Sequence, residues 1–105
     1  MTLPHIGYAA MLERFPPNEA LELTRYAEAK GFRGVMATDH FQPWLPHQGE
    51  ASFVWNVLGA LGQVTAGDLG TGMTVPTFRQ HPAIVAQAST TLAASSATIG
   101  AYTAA

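Results

Sequence analysis

Cysteine is absent from this chain, which removes every disulfide framework and every thiolate metal site. Charge is scarce as well. Five Lys and Arg stand beside seven Asp and Glu, and charged residues make up 11% of the sequence against a usual ~25%. A net charge of −2 provides no basic face for nucleic acid. No clustered Lys/Arg stripe marks a membrane surface, and no apolar run approaches the ~20 residues that a membrane span requires. The start, Met1-Thr2-Leu3-Pro4-His5, has neither the basic nor the apolar region of a signal peptide. These absences predict a cytoplasmic protein whose partner is a small molecule, not nucleic acid and not a membrane.

What the chain does have is apolar surface. Hydrophobic residues make up 48% of 105 positions, enough for one small domain with a modest core. So few charges imply that much of the chain is meant to be covered, by further chain or by a partner. The pattern alternates between strand and helix. Residues 6–11 read as a first strand. Pro16-Pro17 bars helix upstream, Asn18 can cap the helix that follows, and Ala20, Leu23 and Ala27 recur on one face until Gly31 ends it. A buried second strand runs from Gly34 to Thr38. Ser52 is placed to cap a second helix with the stripe Val54, Val57, Leu58, Leu61 and Val64, closed by Gly67. A third strand covers residues 69–75. Pro82 then opens a third helix marked by Ile84, Val85, Ala88 and Leu92, and residues 98–102 read weakly as a fourth strand. Alternation with short connections means βαβ units and a parallel sheet, an α/β fold.

The most informative run is Thr38-Asp39-His40-Phe41-Gln42-Pro43-Trp44, where an acid and an imidazole sit at the end of a buried strand. Catalytic groups on α/β scaffolds sit at that end, because the strand holds them rigid while the loops leave a cleft. His40 is the candidate catalytic residue, as a general base or charge stabiliser. The plainer alternative has Asp39 capping a turn and His40 on the surface. The loop to about Ser52 exceeds the usual two to about six residues of a βα connection, and loops that long are usually functional. Phe41, Trp44, Phe53 and Trp55 flank it. Trp44 best suits a pocket wall, whereas Phe53 and Trp55 better suit core packing. His40 and His47 lack the spacing of a helical ligand pair, and no metal is expected. Gly67, Gly70 and Gly72 fail the dinucleotide fingerprint and instead allow close approach over one strand face. Arg79, just before the third helix, reads either as an anion contact or as a solvated loop residue.

Several segments together resemble a known family. They are Leu3-Pro4-His5-Ile6-Gly7-Tyr8, Glu28-Ala29-Lys30-Gly31-Phe32, the Thr38 to Trp44 run, Gly70-Thr71-Gly72-Met73, and the stretch Pro76-Thr77-Phe78-Arg79-Gln80-His81-Pro82 with its following helix. In order, they look like the opening of the coenzyme F420-dependent glucose-6-phosphate dehydrogenases and their close relatives in the bacterial-luciferase-like superfamily. The resemblance covers residues 3 to about 92. It implies a TIM (β/α)8 barrel and an oxidoreductase in which hydride passes from a sugar phosphate or alcohol to the deazaflavin F420. It further implies that His40 sits beside the reactive carbon, that Asp39 contacts the coenzyme and that Trp44 lines the substrate site. A non-prolyl cis peptide supporting the deazaflavin ring falls at Gly72-Met73, and Val75 stands on the coenzyme side where the dehydrogenases have threonine.

The resemblance stops short of a whole enzyme. Its fourth strand ends in a glycine-rich turn and a catalytic glutamate, whereas this chain has Thr98-Ile99-Gly100-Ala101-Tyr102-Thr103-Ala104-Ala105. The sugar-phosphate-binding residues of the dehydrogenases belong to later strands. A barrel needs about 250 residues, so residues 1–105 correspond to its first three to four βα units, an incomplete barrel with 93–105 as a poorly matching tail. The alternative to an F420-dependent oxidoreductase is therefore a catalytically inactive truncated or frameshifted fragment, or a half-barrel that assembles with another chain, a homo-oligomer included.

Overall fold

The structure, a computed structural model, describes residues 4–75, 79–96 and 102–104. Its elements alternate: β1 (Tyr8–Ala10), α1 (Pro17–Ala29), β2 (Gly34–Thr38), α2 (Val54–Val64), β3 (Asp68–Gly72), α3 (Pro82–Ser95) and β4 (Tyr102–Ala104). The strands form one parallel sheet in the order β1-β2-β3-β4, as the alternation requires. Val35 lies opposite Tyr8 and Leu69, and Thr38 opposite Gly72, so the carboxyl tips of β2 and β3 end level.

The two sheet faces differ. Ala10, Val35, Ala37 and Leu69 point toward the helices and join Ala20, Val54, Val57, Leu58, Leu61 and Leu92 in the core. Leu58 and Leu61 are fully buried, and burying a leucine contributes roughly 1.5–3 kcal/mol. The period-two alternation sends Met36, Gly70 and Gly72 to the opposite face, which no helix among the described residues covers. Among the described residues no helix is long and apolar enough to cross a membrane.

Local chemistry sets the element ends. Gly31 has φ +108°, and its N–H and that of Phe32 bond the carbonyls of Glu28 and Ala27, a Schellman closure of α1. A Cβ at Gly67 would run into the carbonyl of Arg33, so only glycine lets the two backbones approach there. Pro82 opens α3 as expected, and the His81 imidazole accepts the Ala83 N–H at 3.0 Å as its cap.

Other boundaries move. α1 begins at Pro17 with Pro16 as its cap, so Asn18 lies inside the first turn. α2 is preceded by Phe53, not capped by Ser52, and it closes at Thr65, whose hydroxyl bonds the Leu61 carbonyl, ahead of Gly67. In α1, Thr24 is buried where the stripe placed Leu23; its hydroxyl is satisfied by the Ala20 carbonyl, which makes a polar side chain tolerable there. Ile84 is exposed, because α3 turns only Leu92, with Val85 and Ala88 beside it, onto the core. β1 is shorter than expected, and β3 leaves the ladder after Gly72, before residues 73–75. The fourth strand appears at Tyr102–Ala104, while residues 97–101 lie outside the described ones.

Candidate functional site

The carboxyl tips of the first three strands surround a cleft of about 640 Å³, within the size range of small-molecule sites. β1 leads into Met11 and Glu13. β2 delivers Asp39 and His40, and the following loop adds Trp44, Leu45 and Gln48. The exit of β3 supplies Gly72, Met73 and Val75. The six residues singled out from the sequence, His40, Asp39, Trp44, Gly72, Met73 and Val75, all line this cleft; Glu13, also in its wall, was not among them.

Trp44 stands 77% exposed, yet it is not loose. Its indole N–H donates to His40 Nδ1 at 3.0 Å, and the rings meet edge to face with centroids 5.2 Å apart. The Gln48 side-chain oxygen accepts the main-chain N–H groups of Trp44 and Leu45 at 3.0 and 3.1 Å, which tightens the turn carrying the indole. An indole N–H can only donate, so Nδ1 is the accepting nitrogen and the proton of the neutral ring sits on Nε2. Nε2 faces the carboxylate of Glu13 at 4.0 Å. Glu13 is buried, and the Thr38 hydroxyl donates to it while accepting the Leu12 N–H at 2.9 Å. An acid, a hydroxyl, an imidazole and an indole thus form one connected set at the rim.

Asp39 has a different setting. Its side chain is only 2% exposed, and its carboxylate accepts from Thr74 Oγ1 at 2.7 Å, from Gln80 Nε2 at 3.1 Å and from the Arg79 guanidinium. Arg79 is therefore not a free anion contact: it stays partly in solvent while its guanidinium pairs with a buried carboxylate, which needs a cation. The peptide bond from Gly72 to Met73 is cis, at the position that the resemblance implies. Gly72 sits directly over the Met36 side chain, which occupies the space that a Cβ would take. Of the other aromatics, Trp55 is buried as expected. Phe53 is half exposed, because it precedes α2 on its outer side and does not enter the core. Phe41 is exposed and does not line the cleft. Among the described residues no three His, Asp or Glu side chains cluster as metal ligands.

The sequence model for luciferase-like monooxygenases matches residues 1–97. The chain belongs to that family. Among its relatives, the F420-dependent glucose-6-phosphate dehydrogenase of Segniliparus rotundus is 47% identical over 90 residues, covering 84% of this chain and 27% of the relative. The enzyme of the same name from Mycobacterium avium is 45% identical over 89 residues, covering 84% and 26%. A solved F420-dependent secondary alcohol dehydrogenase, in complex with an F420-acetone adduct, superposes with a TM-score of 0.82 at 40% identity. That match covers 88% of this chain and 28% of the other. The chain thus spans about a quarter of the length of the relatives it matches, and its open parallel sheet corresponds to part of a luciferase-like TIM barrel.

Within this luciferase-like piece, Glu13 is the ionisable cleft residue that the sequence reading did not single out, alongside Met11, Leu45 and Gln48. The signal was present: Glu13 follows the first strand by a few residues, as Asp39 follows the second directly. Two acids at neighbouring strand tips converge on one cleft in a parallel sheet.

Proposed function

We propose that the cleft receives the deazaflavin coenzyme F420 and that the chain is the coenzyme-facing portion of an oxidoreductase acting on an alcohol or sugar phosphate. The single observation carrying this reading is the His40–Trp44 pair at the strand tips, set beside an apolar ledge of Gly72, Met73 and Val75. The residues fit such a group: Met73 and Val75 are exposed, Gly72 has no side chain to obstruct, and the ledge can lie against a flat ring. Bound there, F420 would supply a carbon that accepts hydride.

The protein's part is proton handling and placement. His40 presents Nδ1 to Trp44, so a hydroxyl entering between the rings replaces the indole as donor to that nitrogen. Transfer of the hydroxyl proton to Nδ1 makes an imidazolium, whose Nε2–H then faces the Glu13 carboxylate. Thr38 keeps Glu13 in place. Trp44 closes the outer side and limits water. Asp39, its carboxylate already committed to three protein donors, contributes to the coenzyme side as a fixed wall. Fluorescence titration of F420 with the purified chain tests this: saturable binding is expected, weakened in Met73→Asp, which charges the ledge. No saturation up to millimolar protein would remove the reading.

The bare sheet face favours a second reading, in which the chain binds but turns over only once further strands cover it. Met36 and Met73 stand exposed there and at the rim, and an open sheet retains edges that a closed barrel abolishes. Half a cleft also loses preorganisation, and with it most of the rate. On this reading residues 1–105 act as the N-terminal part of a barrel, reaching activity when paired with another chain or with a second copy. F420 reduction by glucose 6-phosphate or a secondary alcohol, at a rate above a His40→Ala control, would exclude it.

A further inference from the structure

Asp39 is gripped from α2 through a residue to which neither the resemblance nor the sequence motifs gave a role. The Trp55 indole N–H donates to Gln80 Oε1 at 2.8 Å, and Gln80 Nε2 donates to Asp39 Oδ2 at 3.1 Å. All three residues are buried. Because an indole can only donate, Trp55 dictates which end of the Gln80 amide faces which way: oxygen toward the ring, NH₂ toward the acid. The reversed amide would set a carbonyl oxygen against a carboxylate oxygen. Thr74 and Arg79, the other two donors, lie on the segment between β3 and α3, so Asp39 ties that segment to the tip of β2.

We propose that Gln80, oriented by Trp55, is a positioning residue of the cleft. It fixes Asp39 against the wall and so sets the direction in which the adjacent His40 leaves β2. Its consequence for coenzyme binding rests on the F420 reading above; the relay itself does not.

Three substitutions in the full chain separate positioning from simple filling. Gln80→Met preserves volume and removes both hydrogen bonds. Gln80→Glu keeps the acceptor for Trp55 but sets a carboxylate against Asp39. Trp44→Phe serves only to assign the two indole signals that a chain with two tryptophans shows in a ¹⁵N spectrum. Gln80→Met should shift the Trp55 indole line, which loses its acceptor, and also shift the Trp44 line, which reports on His40. Gln80→Glu should displace the Trp44 line from its wild-type position at the same pH, because two facing carboxyl groups push Asp39 off its seat.

A filling role leaves the Trp44 line where it is in both variants, and that result overturns the proposal. If Gln80→Met does not fold, the Trp44 line of Gln80→Glu at the wild-type pH decides alone. In parallel, F420 binding should weaken about tenfold in Gln80→Met; wild-type affinity in that variant also counts against positioning. Failure of the wild-type chain to bind F420 strikes the coenzyme reading, while the indole spectra still decide on the relay.

Discussion

The indole N–H of Trp44 reaches Nδ1 of His40 at 3.0 Å, four residues earlier in the same loop, and so decides which nitrogen of that ring is free to carry a proton. Replacing Trp44 with Phe keeps an aromatic ring there but removes the donor. The neutral imidazole, held with its proton on Nε2 in the wild type, should become a mixture of tautomers by ¹⁵N NMR. Stability should fall by under about 1 kcal/mol, since the bond lies at the surface. A wild-type ring with its proton on Nδ1 would contradict the geometry.

Thr38 joins two groups that lose water on folding. Its hydroxyl accepts the Leu12 N–H and donates to Glu13, so Thr38→Val, equal in shape, strands both. Leaving buried polar groups unpaired should cost about 2–3 kcal/mol in urea unfolding. A loss under 0.5 kcal/mol, as for a typical surface change, would mean that water reaches the pair.

The Arg79–Asp39 pair is asymmetric, with the arginine side chain 34% exposed and the aspartate 2%. Arg79→Met leaves a buried carboxylate with neutral donors alone and should destabilise by about 3 kcal/mol. The double variant Arg79→Met/Asp39→Asn should recover part of that loss. If the double variant is as unstable as the sum of the two single ones, the charges are not coupled.

Two glycines with open space around them should respond in opposite directions. At Gly31 nothing crowds a Cβ, but φ is +108°, so Gly31→Ala should cost about 1–2 kcal/mol from backbone conformation alone. Gly59, inside α2 and equally uncrowded, has no such constraint. Gly59→Ala should raise stability by about 0.8 kcal/mol through helix propensity. Thermal melts of the two variants check the sign of each.

What the sequence determined by itself was whatever short-range chemistry encodes. Apolar spacing marked the three helices, Gly31 and Pro82 marked two of their ends, and strand–helix alternation implied the parallel sheet. The position of His40 after a buried strand followed from the same logic, as did Trp44 at the cleft. Boundaries such as Asn18 and Ser52 were misplaced because a polar residue near a helix start can serve as a cap without being used as one. Only the tertiary structure decided which partners the acids take. Glu13 meets Thr38 across 25 positions, and Asp39 meets Arg79 and Gln80 across 40 and 41. No periodicity encodes such pairings. They exist because a parallel sheet brings successive strand tips to one rim, where buried carboxylates must find donors wherever the chain returns.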